Sequence, residues 1–146
     1  MSRADELGRL EEEVAILIRR IRRVIGDRAR AVHPDLQPTS YLMLSHLVAS
    51  GPLRSSALSE HFGVDKGAIS RQVQHLVDLG LLDREPDPAD GRASLVSPSS
   101  DAVHRMRAIS KERRQWLDEK LGEWSEDDLR GFVTSLARYN AALDRD

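Results

Sequence analysis

The 146-residue sequence contains no cysteine, which excludes disulfides, thiolate metal sites and cysteine nucleophiles. Aromatic residues make up only 4% of the chain, so its core must be mainly aliphatic. No apolar run approaches the roughly 18 residues of a membrane-spanning helix. The acidic N-terminal segment also lacks the apolar stretch of a signal peptide. These absences predict a soluble protein with no membrane partner, located in the reducing cytoplasm.

Features of metal, cofactor and catalytic sites are also missing. The five histidines form neither an H-x-x-x-H nor an H-E-x-x-H pattern. There is no glycine-rich phosphate loop, and the serines lie at predicted caps and turns, where backbone hydrogen bonding explains them. We therefore expect no metal, no cofactor and no enzymatic activity.

Charge is abundant but nearly balanced, with 22 Lys and Arg against 24 Asp and Glu and a net charge of −2. This sum does not favour nucleic-acid binding. Attraction to phosphates is, however, set within about 10 Å, so the positions of the cations matter more than their total. Those positions depend on the predicted elements.

A long first helix is predicted over about Ala4–Val32. Its apolar residues recur at alternating steps of three and four: Leu7, Leu10, Val14, Leu17, Ile21 and Val24. Two interpretations stay open for this seam. It could be the inner face of an ordinary amphipathic helix packed on its own core, or one side of an intermolecular helix bundle. The length and narrowness of the seam favour the bundle.

A pair of short helices follows a second helix that begins near Pro38. Ser55 and Ser56 are both predicted as N-cap candidates for the first of the pair. Asp65 is predicted to cap the next helix, which runs over about Lys66–Leu79 and closes at Gly80. Two short helices joined by a tight turn are typical of a helix-turn-helix. The buried face of the later helix is predicted to hold Ile69, Val73, Leu76 and Val77. Its outward face begins with polar side chains suited to phosphates and base edges: Lys66, Ser70, Arg71 and Gln74.

The stretches "LLDREP" and "RASLVSP" read as two antiparallel strands joined by a long tip, "PDPADG". One interpretation of this hairpin is a solvated turn. Another is that Arg92, beside the permissive Gly91, enters a DNA minor groove. An ion pair between Arg84 and Asp90 is predicted to stiffen the tip and neutralise one of its carboxylates.

Two helices are predicted to close the chain, the first from Ser97-Pro98 to about Leu121. Ser125 and Asp128 resemble a capping box for the last helix. Its apolar residues include Leu129, Phe132, Leu136 and Leu143. The fold predicted from these elements is mainly α, with a small two-stranded antiparallel wing: a winged helix-turn-helix at residues 34–98. Residues 1–33 and 99–146 form a helical dimerisation region.

The stretch from "ALSEHFGV" to "GRASLV" resembles the multiple antibiotic resistance regulator (MarR) family. The most specific part is G-L-L-x-R-x-x-D-P-x-D-G-R-x-x-L-V, from Gly80 to Val96. The resemblance implies DNA contacts by Ser70 and Arg71, a minor-groove contact by Arg92 and bracing of the wing by Asp90. It departs at Ala89, where a second wing Arg is frequent, and at Arg54, where Thr is usual.

Taken together, residues and resemblance predict a homodimeric, sequence-specific DNA-binding transcription regulator, most simply a repressor, on a pseudo-palindromic operator. The predicted DNA-contacting residues are Ser55, Lys66, Ser70, Arg71, Gln74 and Arg92. The predicted dimerisation residues are Leu7, Leu10, Val14, Leu17, Leu129, Phe132, Leu136 and Leu143. The resemblance also implies a small aromatic or lipophilic effector, for which no binding residues are identified. The alternative is a dimeric protein–protein interaction module whose winged helix no longer binds DNA.

Overall fold

The computed structural model describes residues 1–144, which divide into two units, Met1–Ile109 and the residues that follow from Ser110. The helices are α1 (Arg3–Val32), α2 (Pro38–Ser50), α3 (Ser55–Phe62), α4 (Lys66–Asp78), α5 (Ser100–Lys120) and α6 (Glu126–Leu143). The strands are β1 (Leu53–Arg54), β2 (Leu82–Asp87) and β3 (Asp90–Pro98). The protein is thus mainly helical with one small antiparallel sheet, as predicted.

The sheet contains a strand that the sequence analysis missed. β1 pairs antiparallel with β3, placing Leu53 opposite Val96, and the strand order is β1-β3-β2. The wing therefore belongs to a three-stranded sheet. Its tip is also shorter than predicted, because only Pro88 and Ala89 separate β2 from β3. The longer β3 delays α5, which begins at Ser100 rather than at Ser97-Pro98.

The core of the first unit joins α2, the helix-turn-helix and the sheet. The aliphatic residues at its centre are fully buried: Leu44, Leu47, Leu58, Val73, Leu76 and Val96. At the edge of this core, Nη1 of Arg105 donates a 2.6 Å hydrogen bond to the carbonyl oxygen of Val32, the last residue of α1. This bond satisfies a terminal helix carbonyl and links the first turns of α5 to the end of α1.

The N-terminal seam of α1 is not part of this core. Leu7, Leu10, Leu17 and Ile21 are each more than two-fifths exposed, and only Ala29 and Val32 of this helix are buried. The interpretation that the seam packs on the chain's own core is therefore wrong for these residues. Apolar side chains at three- and four-residue spacing instead form an open stripe along one face of the helix.

The second unit contains the end of α5 and α6. The predicted capping box is confirmed: the Ser125 hydroxyl accepts the Asp128 N–H, and the Asp128 carboxylate accepts the Ser125 N–H. Trp124 packs edge-on against Phe132, with ring centroids 5.9 Å apart. No residue of α6 is buried, and the apolar face of that helix remains exposed.

Candidate nucleic-acid interface

Helix α4 is fixed in the first unit by its cap and its buried face. The Asp65 carboxylate accepts the Ala68 N–H at 2.9 Å and satisfies one of the free donors of the first turn. Ile69, Val73 and Leu76 are buried, as their spacing predicts, and Val77 is half-buried against the same core. Gly63 adopts the left-handed conformation, with φ of 62°, in the turn before α4. The predicted cap and inner face are both confirmed.

The outer face of α4 presents the predicted polar side chains to solvent. Lys66, Ser70, Arg71 and Gln74 are all exposed. A Cβ added to Gly67 would lie 3.4 Å from Nη1 of Arg71, so the glycine leaves room for that guanidinium beside the helix N-terminus. This face therefore brings two cations, a hydroxyl and an amide together within about two turns of helix.

The amide of Gln74 is oriented by a carboxylate one turn further on. Its Nε2 donates a 2.8 Å hydrogen bond to Oδ1 of Asp78. Because a carboxylate only accepts, the amide oxygen of Gln74 must face away from Asp78. The side chain then offers an acceptor outward, together with the second N–H of the same amide. Such an edge matches adenine, which carries a donor and an acceptor in the major groove.

Ser55 does not cap α3, contrary to the prediction. The N-cap is Arg54, which makes no side-chain cap hydrogen bond, and half-buried Ser55 is already the first helical residue. The reason is β1: the chain passes directly from the strand into the helix, so the capping position falls on its last strand residue. Ser55 nevertheless lies at a helix N-terminus, where backbone N–H groups favour anions.

The turn of the wing is held by two aspartates through backbone hydrogen bonds. Oδ1 of Asp87 accepts the Ala89 N–H at 2.9 Å, and Oδ1 of Asp90 accepts the Arg92 N–H at 3.0 Å. Each aspartate thus forms an Asx-turn, in which its carboxylate accepts the backbone N–H two residues later. The exposed Arg92 follows immediately, on the returning strand.

The predicted ion pair between Arg84 and Asp90 is wrong. In the strand register, Arg84 lies opposite Val96, whereas Asp90 lies opposite Asp87 at the tip. Arg84 is thus three residues, or about 10 Å, from the end of its strand. The ion pair of the wing instead joins Arg54 to Asp87, with Nε and Nη2 of the guanidinium each 2.6 Å from Oδ2.

Asp87 is the buried carboxylate of the wing, with only 8% of its surface exposed. The Ala89 N–H, followed by the Arg54 guanidinium, lowers the pKa of Asp87 below its ordinary value. A lowered pKa means that the ionised form stabilises the fold above about pH 4, and that this contribution is lost as the pH falls through the lowered value. Sequence reasoning missed both partners, although Arg54 was noted as a departure from the MarR pattern.

The described residues contain no group of three or more His, Asp or Glu side chains that could hold a metal ion. The rings of His46 and His61 do lie together, stacked with centroids 3.7 Å apart. Within the same part of the chain, none of the helices has the length and apolar character needed to span a bilayer.

A helix-turn-helix with an exposed cationic face, followed by a hairpin with an Arg beside its turn, defines a winged-helix regulator. Comparisons with known proteins agree. The profile of the MarR family matches residues 35–93. The HTH-type transcriptional regulator YxaD of Bacillus subtilis is 33% identical over 92% of this chain and 92% of its own length. The regulator ML2140 of Mycobacterium leprae is 30% identical over 80% of each chain.

Solved structures share the fold. RV1404 from Mycobacterium tuberculosis superimposes with a TM-score of 0.78 at 21% identity, covering 97% of this chain and 94% of that one. The crystal structure of MarR gives a TM-score of 0.71 at 24% identity, covering 93% and 91%. The chain therefore belongs to the MarR family and is a winged helix-turn-helix transcriptional regulator.

Proposed function

We propose that this regulator is a homodimer that binds a roughly two-fold symmetric operator in a sequence-specific manner and acts as a repressor. The observation that carries the proposal is the exposed face of α4, which bears no carboxylate from Lys66 to His75. A solvated face of ordinary composition would mix both signs of charge. This face instead suits a polyanion, although the whole chain is slightly acidic.

Each contact residue has a distinct proposed role. Lys66 and Arg71 bind phosphates or guanine edges, Ser70 bonds to phosphate, and Gln74 pairs with adenine. Ser55 binds a backbone phosphate at the start of α3, and Arg92 enters the flanking minor groove. Two copies of α4 then occupy major grooves about 10 bp apart.

Dimerisation is proposed to cover the open apolar faces of α1 and α6. The residues assigned to it are Leu7, Leu10, Val14, Leu17, Leu129, Phe132, Leu136 and Leu143. Apart from half-buried Val14, all of these are at least 37% exposed in the single chain. The proposed dimerisation region comprises residues 1–33 and 99–146, of which residues 145–146 lie outside those described. Residues 34–98 form the DNA-binding domain.

Regulation by a small aromatic or lipophilic effector is supported by membership of the family. A ligand that favours a wrongly spaced dimer by about 1–3 kcal/mol would change operator occupancy by about 5- to 150-fold. In this role the protein needs no catalytic residue and lies with its DNA in the cytoplasm.

The experiment is fluorescence anisotropy with the DNA upstream of the protein's own gene, at several salt concentrations. We expect tight binding that weakens steeply with salt. Arg71→Ala should weaken it by about 5- to 150-fold, corresponding to the loss of about 1–3 kcal/mol of base or phosphate contact. Arg92→Ala should weaken it less, because the wing that carries this Arg also carries four carboxylates.

Arg107→Ala is the matched control, since it removes an exposed Arg of α5 that is neither a proposed DNA contact nor one of the assigned dimerisation residues. It should leave the affinity unchanged. Unchanged binding by Arg71→Ala would contradict the assigned face of α4. Absence of salt-sensitive binding by the wild-type protein would instead favour the alternative, a dimeric module that contacts other proteins.

A further inference from the structure

One carboxylate of the wing differs from its neighbours in burial and in its partners. Asp83, Glu85 and Asp90 are exposed, whereas Asp87 is 8% exposed. Its Oδ2 lies 2.6 Å from both Nε and Nη2 of Arg54, and its Oδ1 accepts a hydrogen bond from the Ala89 N–H. Both oxygens of a buried anion are thus engaged, one by the turn and the other by a cation 33 residues earlier in the sequence.

The two partners lie on opposite edges of the sheet. Arg54 is the last residue of β1 and occupies the N-cap position of α3. Asp87 is the last residue of β2, just before the turn, and β3 lies between these two strands. The ion pair therefore crosses the central strand and joins the helix-turn-helix to the tip of the wing. Backbone pairing alone ties β1 to β3 at only two positions, Leu53 and Arg54. A two-stranded ribbon is marginally stable by itself, so this side-chain connection matters for the tip.

We propose that Arg54 is a positioning residue for DNA binding: by holding Asp87, it fixes the wing turn and so orients Arg92. The inference rests on the proposed contact between Arg92 and DNA. It also explains how a wing with four carboxylates and two arginines (Asp83, Glu85, Asp87, Asp90, Arg84, Arg92) can approach phosphates. Arg54 neutralises the carboxylate at the turn itself, and without it that buried charge would be uncompensated.

Direct phosphate binding by Arg54 is the rival explanation, because 42% of its side chain is exposed. Asp87→Asn separates the two. It frees the guanidinium and removes a negative charge from the wing, so direct binding or simple electrostatics predicts equal or tighter DNA binding. Positioning predicts weaker binding, by about 2- to 10-fold, because the turn loses its brace. Asp83→Asn removes the same charge from an exposed site of the wing and should not weaken binding.

A double-mutant cycle tests the route through Arg92. Arg54→Gln should weaken binding by about 2- to 10-fold when Arg92 is present and have no further effect in the Arg92→Ala background. Arg54→Lys keeps the charge but loses the two-nitrogen contact, so it should fall between wild type and Arg54→Gln. Equal loss in both backgrounds, or no loss in either, would overturn the proposal.

Thermal unfolding and circular dichroism verify that each variant is folded before its affinity is interpreted. If Asp87→Asn does not fold, the cycle with partly exposed Arg54 still decides the question. The two proposals fail differently. Absence of wild-type DNA binding removes the proposed function, whereas normal binding and a normal Arg71→Ala effect without coupling between Arg54 and Arg92 removes only the positioning role.

Discussion

The two units of the chain differ in how far they bury their apolar side chains. In the first unit, α2, α3, α4 and the sheet enclose a core whose central leucines are fully buried. In the second, α6 buries none of its residues, and the apolar side chains at Leu129, Phe132 and Leu136 lie on one exposed face. The core of the winged helix is therefore complete within one chain, whereas the apolar face of α6 is exposed in the single chain.

The N-terminal part of α1 resembles α6 in the exposure of its apolar side chains, although the C-terminal end of α1 packs against the core. Apart from half-buried Val14, its seam is exposed up to Ile21, and full burial begins only at Ala29. An exposed stripe of this extent is uncommon on a monomer and is typical of an interface. The proposed site for DNA thus lies on a scaffold with its own closed core, whereas the proposed site for a partner copy consists of apolar helix faces that a single chain leaves exposed.

The largest expected effect comes from placing a charge on the open face of α6. Leu136→Asp should convert the dimer to a monomer in sedimentation, because a carboxylate cannot be buried unpaired in an apolar interface. Operator affinity should fall by about 10²- to 10⁴-fold, since two linked half-site contacts become independent ones. Thr134→Asp places the same charge on the other side of the same helix and should preserve the dimer. A wild-type protein that sediments as a monomer at micromolar concentration would contradict dimerisation through this face.

Two leucine truncations, one in each unit, should lower stability in different ways. Leu44→Ala removes a fully buried side chain of the winged helix and should lower the free energy of unfolding by about 2–5 kcal/mol. We expect that loss at every protein concentration. Leu143→Ala, at a side chain that is 61% exposed, should matter only where the dimer forms, because subunit association adds to stability by mass action. Urea denaturation over a range of protein concentrations measures both. Equal, concentration-independent losses would contradict the distinction.

The sequence predicted those elements that carry their own periodicity. Ile69, Val73 and Leu76 repeat at helical spacing over 13 residues of α4, and the polar side chains between them could face only outward. The caps at Asp65 and Ser125 were predictable for a related reason. An N-cap hydrogen bond is local, reaching two or three residues, so its partners are adjacent in the sequence.

Contacts set by strand register could not be predicted in this way. β1 has two residues and shows no period of its own. Turn-forming residues occupy every position of "PDPADG" except Ala89, so the sequence does not indicate that the tip contains only Pro88 and Ala89. Without β1 and the register, nothing brings Arg54 to Asp87, and Arg84 is a plausible but wrong partner for Asp90.

The smallest effects concern two of the N-caps, Asp65 in the first unit and Ser125 in the second. Asp65→Ala and Ser125→Ala should each cost about 1 kcal/mol of stability, but only the first should alter DNA binding, because it loosens the turn that carries Lys66 and Ser70.

Charge complicates this test, since removing Asp65 also removes an anion near the proposed phosphates. Asp65→Asn is therefore the reference: asparagine keeps the cap and has the same charge as alanine. At matched charge, the alanine variant should bind operator DNA more weakly than the asparagine variant, by up to about fivefold, the equivalent of 1 kcal/mol. Equal affinities in an anisotropy titration would mean that the first turn of α4 is held by its buried face alone.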